Sequence, residues 1–295
     1  MRTLIAAVLL TASVSAAPPT GKQCTYKTIG ETRLSIYVTE PEGTDFESPR
    51  PAILFFHGGG WVGGAPGQFT EHARYFASRG VTCFQAQYRL LDKQKNDPPR
   101  VCLQDARSAM RWVRRNAKQF NVDPQRIASA GGSAGGHLAT ALGTLTGNDE
   151  PGEDTAIDVR PNAMILFNPV FDNGPDGWGH GRVRERYKEF SPAHNIRSGT
   201  PPAIVFLGDK DSLIPVSTLE TFQQQMISVG SRCETMIFPE MPHGFFNHNR
   251  YNNVPYLKTV TAADRFLKSL GWVSGEPTLR LPPENRKRKS LTEAE

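Results

Sequence analysis

The chain has 295 residues, 38% hydrophobic and 21% charged, which suits one large α/β domain or two small ones and excludes a wholly disordered protein. Its 27 glycines and 23 prolines follow no G-X-Y period, so it is not fibrous. The formal charge of +5 is scattered among 29 acids without zinc-finger spacing or an RNA-binding signature, so nucleic acid is not an expected partner.

Arg2, the apolar stretch Leu4 to Leu10 and the small residues Ser15-Ala16-Ala17 describe a secretory signal peptide over 1–17, cleaved after Ala16 or Ala17. The apolar stretch is too short to span a bilayer, and no later segment reaches that length, so the expectation is an exported chain without an integral membrane segment. In an oxidising compartment Cys24, Cys83, Cys102 and Cys233 have three possible pairings into two disulfides. Cys83 lies in an apolar run and fits simple packing equally well.

From Gln23 the text CTYKTIGETRLSIYVTE alternates on both sides of Gly30, which predicts an antiparallel hairpin. Pro51 to His57 is a continuous apolar run, as expected of a strand buried on both faces. A helix over Phe69–Ser78, a strand over Val81–Tyr88 and a long helix over Val101–Phe120 follow. Then come a strand at Arg126–Ala130, a helix from about Ser133, and strands at Ala163–Phe167 and Ala203–Leu207. A helix at Pro215–Val229, a strand at Cys233–Phe238 and a helix at Pro255–Leu270 complete the series. Alternation of this kind predicts a mostly parallel sheet with helices on both faces. The catalytic domain is expected over 18–273. Within it, 171–199 breaks the rhythm and reads as a cap-like insertion. From Ser274 to Glu295 the chain is polar and reads as a disordered tail, its basic run Arg286–Lys289 flanked by Glu284, Glu293 and Glu295.

The chemistry gathers at three strand ends. Gly131-Gly132-Ser133-Ala134-Gly135 satisfies G-x-S-x-G between a strand and a helix, a turn that exposes a serine nucleophile at a helix N-terminus. Taken alone, the motif also fits a βα turn whose serine only caps the helix. His57-Gly58-Gly59-Gly60-Trp61 follows the buried strand and offers backbone N–H groups to an oxyanion, with His57 organising the loop. A nucleophilic serine needs a base and an orienting acid. Of seven histidines, His243 is best placed after a strand, with His248 its nearest competitor. Asp211 is the chosen acid, with Asp209 the alternative. The order Ser133, Asp211, His243 is that of the α/β-hydrolase arrangement.

HGGGW, GGSAGG and the stretch RWVRRNAKQFNVDPQRIASAGGSAGGHLA resemble α/β-hydrolases of the hormone-sensitive-lipase-like esterase group, from about Pro51 to Leu270. The resemblance implies Ser133, Asp211 and His243 as nucleophile, acid and base. It also implies the N–H groups of Gly58, Gly59 and Ala134 as oxyanion donors. QYRLLDK departs from the DYRLAPE of many members, and the acid loop GDKDSLIP resembles the G-x-x-D pattern of exported acetyl-esterase and dienelactone-hydrolase-like relatives more than the lipase-like group. The expected activity is hydrolysis of short-acyl esters, including acetylated carbohydrate, with Trp61 at a small acyl pocket and no metal or organic cofactor. A serine peptidase, a lipase and a non-catalytic binding protein on the same fold are the alternatives.

Overall fold

A computed structural model describes residues 19–43 and 48–280. The leader reading of 1–17 and the basic run 286–289 lie outside the described residues.

The strands are β1 Lys22–Ile29, β2 Thr32–Thr39, β3 Arg50–Phe56, β4 Thr82–Ala86, β5 Val122–Gly132, β6 Ala163–Phe167, β7 Ala203–Gly208 and β8 Cys233–Phe238. The helices are α1 Thr70–Ser78, α2 Arg100–Arg115, α3 Ala134–Thr144, α4 His180–Val183, α5 Val216–Ser228 and α6 Val254–Ser269. One sheet runs in the order β1-β2-β4-β3-β5-β6-β7-β8. The first three pair antiparallel and the rest parallel, the α/β-hydrolase architecture. β3, β6, β7 and the second half of β5 from Ile127 are buried on both faces, which is why their apolar runs show no alternation. One core lies on each face of the sheet. Leu54, Phe84, Met110 and Leu138 belong to the first, Phe55, Phe76, Phe167 and Phe266 to the second.

Three boundaries depart from the sequence expectations. α2 stops at Arg115, where Asn116 caps the helix with its side-chain N–H on Trp112 O at 2.8 Å. The chain then turns so that Phe120 packs on Phe84 and Trp112. β5 begins earlier than expected because Val122 pairs with Arg50, beyond a register shift. The first part of the expected loose tail is docked: Arg79 donates to Ser274 O at 2.8 Å and Thr278 N–H to Tyr75 Oη at 3.3 Å. All four cysteines are free thiols.

Acids outside the site have structural partners. Asp105 is fully buried between Lys27 and Arg89, joining β1, the segment after β4 and α2. The 171–199 insertion is compact, built from α4 and two 3-10 turns at Arg184–Glu189 and Pro192–Asn195. Phe171 anchors it by stacking on Phe222 of α5, with ring centroids 4.4 Å apart.

Candidate active site

β5 runs straight into α3, and Ser133 occupies the joint with φ 54° and ψ −121°, in the left-handed region a serine rarely adopts. The strain lifts its hydroxyl to the carboxyl edge of the sheet. The joint closes only because α3 approaches β3 without a side chain between them: a Cβ on Gly135 would stand 2.0 Å from Phe56 O. Since that neighbour is backbone, Gly135→Ala is expected to destabilise the protein by about 3 kcal/mol. Chemical denaturation would check it, and an unchanged midpoint would contradict the close approach.

The turns after β7 and β8 bring two further groups to Ser133. His243 Nε2 lies 2.8 Å from Ser133 Oγ, and His243 Nδ1 lies 2.7 Å from Asp211 Oδ2. A proton on Nδ1 directed at the carboxylate leaves Nε2 to accept from the serine hydroxyl. The other Asp211 oxygen accepts the N–H groups of Leu213 and Ile214 at 2.9 and 3.0 Å, which fixes the carboxylate in its loop. Asp211 is buried, whereas His243 keeps an open edge. The alternatives stand elsewhere: Asp209 accepts Glu240 N–H, and the His248 ring packs on Tyr256.

Asn168, at the end of β6, accepts Gly244 N–H at 3.0 Å and brings its amide nitrogen to 3.3 Å from His243 Nε2. Its place after a buried strand was the one sequence signal it carried. His57 acts as a loop organiser. It is buried, stacks on Tyr88 at 4.2 Å and bonds Gly58 O at 2.8 Å, and burial pushes its pKa down to about 4. His72 and His137 are wholly buried, and His180 and His194 are tied within the insertion to Asn173 O and Ser191 Oγ.

Two sequence expectations need correction. The Gly58 N–H donates to Gln68 Oε1 at 2.6 Å, so it cannot also serve an oxyanion at full strength. Among the described residues, the N–H groups of Gly59, Gly60 and Ala134 donate to no protein acceptor. Gly59 and Gly60 line the pocket in front of Ser133, and Ala134 is the residue that follows it. Gly59 sits at φ 116°, and a Cβ there would meet Gly63 O at 2.3 Å. Trp61 has no exposed surface: its ring packs on His137 and Trp178 beneath the loop. Trp178, from the insertion, lines the pocket instead. No periodicity marks Trp178 or Gln68, because both reach the site from irregular or turn segments.

The pocket measures about 330 Å³ and opens to solvent over Ser133 and His243. Among the described residues no helix is long and apolar enough to cross a membrane.

A parallel sheet with a strained serine between strand and helix, and an imidazole and a carboxylate aligned on it, defines an α/β-hydrolase with serine-hydrolase geometry. The chain belongs to the α/β-hydrolase esterases. The BD-FAE family matches residues 34–172 and the dienelactone hydrolase family residues 179–272. The structure is similar to that of Thermogutta terrifontis esterase 2 phosphoramylated by tabun. The two share 40% identity over 88% of this chain and 97% of that one, with a TM-score of 0.82. The propionate-bound form of the same esterase matches at 39% identity and TM-score 0.82, covering 88% and 97% of the two chains. Among curated relatives, esterase LipC of Mycobacterium tuberculosis is 29% identical, covering 67% of this chain and 53% of that protein. An acetylxylan esterase of Xylanibacter ruminicola is 31% identical, covering 59% of this chain and 37% of that protein. The chain thus spans about half or less of the length of these two curated relatives.

Proposed function

We propose that the chain is an exported serine carboxylesterase for short-acyl esters, with acetylated carbohydrate as its substrate class. The observation that carries this reading is the continuous hydrogen-bonded line from Asp211 through His243 to Ser133, at 2.7 and 2.8 Å, beside backbone amides that have no acceptor among the described residues. In the first step His243 Nε2 takes the hydroxyl proton as Ser133 Oγ attacks the ester carbonyl carbon. Asp211 holds the ring and stabilises the imidazolium. The N–H groups of Gly59, Gly60 and Ala134 receive the oxyanion. Collapse expels the alcohol, which takes its proton from His243, and water then releases the acyl group by the same path in reverse.

The acyl length is supported by the size of the pocket and by a structural relative solved with propionate bound. An acetylxylan esterase among the relatives supports the carbohydrate class. Export rests on the signal-peptide composition of residues 1–17. The test of acyl length is hydrolysis of 4-nitrophenyl esters from acetate to hexadecanoate. Turnover should be greatest for acetate to butyrate and fall by about a hundredfold or more for long chains, which outgrow a pocket this small. Faster hydrolysis of hexadecanoate than of acetate would point to a lipase.

A further inference from the structure

We propose that Arg250 makes this site selective for esters whose alcohol part carries a carboxylate, so that the preferred carbohydrate is an acetylated acidic sugar rather than a neutral one. The proposal rests on the esterase reading and adds the charge of the substrate to it.

Arg250 lines the same pocket as Ser133 and His243. It is half-buried, yet among the described residues its guanidinium enters no hydrogen bond or ion pair. Arg79 holds Asp264, Arg89 holds Asp105, and Arg107 and Arg111 share Asp149, while the half-buried Arg114 and Arg182 donate to backbone carbonyls. A planar, permanently charged fork left open at a pocket wall is suited to a carboxylate from outside the chain. No Asp or Glu lines that pocket among the described residues, and the nearest functional acid, Asp211, is sealed behind His243. An anion entering the pocket therefore meets a positive charge and no lining negative one.

The backbone around Arg250 is held in an unusual form. Asn249, Tyr251, Asn252 and Asn253 all have left-handed φ, at 66°, 50°, 53° and 62°. The turn is fastened by Asn249 N–H on Asn253 Oδ1 at 2.5 Å and by Asn253 N–H on Arg250 O at 2.8 Å. It is also tied to the oxyanion loop. Gln68 donates to Asn247 Oδ1 at 2.9 Å while accepting from Gly58 N–H, and Arg250 N–H donates to Asn247 O. The guanidinium is thus carried on a segment whose distance from Ser133 is set by side-chain hydrogen bonds. An acetyl group has no charge to offer, so the anion belongs to the alcohol, where Trp178 supplies an aromatic face for a ring.

The test compares 3-acetoxybenzoate with 3-acetoxybenzamide, two acetyl esters of similar phenols that differ in charge, using the full chain, Arg250→Gln, Arg250→Lys and Ser133→Ala. The unaltered protein should show a kcat/KM ratio of about tenfold in favour of the anion, the scale of a hydrogen bond to a charged group. The ratio should fall to about one in Arg250→Gln, be kept in part by Arg250→Lys, and shrink in about 0.5 M salt as the charges are screened. Ser133-dependent turnover with a ratio near one in the unaltered protein, or a preference that survives Arg250→Gln, overturns the proposal and leaves the esterase standing. Absence of Ser133-dependent turnover of both esters removes the esterase reading and the proposal with it. If Arg250→Gln does not fold, Arg250→Lys and the salt series still decide.

Discussion

Ser133→Ala is expected to lower kcat on short-acyl esters by about 10⁴- to 10⁶-fold, because no acyl-enzyme can form without the Oγ atom. The remaining rate is expected to come from the amides of Gly59, Gly60 and Ala134, proposed here as the oxyanion donors, which would polarise a bound carbonyl toward water but supply no nucleophile. His243→Ala should cost a similar factor, and the double variant hardly more than either alone. In the proposed mechanism Ser133 Oγ and His243 Nε2, 2.8 Å apart, would act as one unit in a single proton transfer. The serine has no structural task comparable to the catalytic one. Its hydroxyl caps no helix N–H, and its left-handed backbone is imposed by the glycines around it rather than by its side chain. The folded stability of Ser133→Ala should therefore stay within about 1 kcal/mol of the original. Retention of more than about a hundredth of kcat by a well-folded Ser133→Ala protein would sink the assignment of the nucleophile.

A second large effect concerns acid. His57, His72 and His137 are buried, and burial lowers their pKa values to about 4, 3 and 4. Among the described residues neither ring nitrogen of His72 has a hydrogen-bond partner, and the ring sits among Phe55, Phe69, Phe167, Phe246 and Tyr256. In the unfolded chain the same imidazoles titrate near 6.5, their ordinary value. Between that value and the depressed ones the unfolded state binds more protons, so stability is full above the unfolded pKa and is lost as pH falls. At pH 5 each histidine costs about 2 kcal/mol, and the three together about 6 kcal/mol, a large share of the roughly 5–15 kcal/mol of a typical domain. The urea midpoint should accordingly drop steeply from pH 7 to pH 5 and continue to fall below it. His72→Phe, which keeps the ring in its aromatic box without a proton site, should flatten that slope by about a third. A midpoint independent of pH over this interval would show that the three rings do not stay neutral in the folded protein.

The linear pattern determined a good deal by itself. Apolar runs of strand length alternating with helix-length segments lead to the parallel sheet, because burial on both faces forces near-continuous hydrophobic strands. A glycine-flanked serine between a strand and a helix specifies a sharp βα turn locally, before any long-range contact is known. The strand-end positions of Asp211 and His243 have the same origin, since parallel strands deliver their following loops to one edge of the sheet.

Other features were decided only by folding. Asp209 and Asp211 lie two residues apart after the same strand. Which of them meets His243, 32 residues away, depends on the turn that aims Asp209 at Glu240 N–H and Asp211 inward. Trp61 is next to the oxyanion loop in sequence but turns under it, while Trp178 arrives from an insertion with no regular pattern. Gly58 carries the same amide as its glycine neighbours, and only the return of the chain through Gln68 takes that amide out of use. Periodicity and turn chemistry report which backbone each segment adopts and which face it buries. The direction of a single side chain in a loop, and the partner that satisfies a single N–H, are set by contacts between segments far apart in sequence, on which local composition is silent.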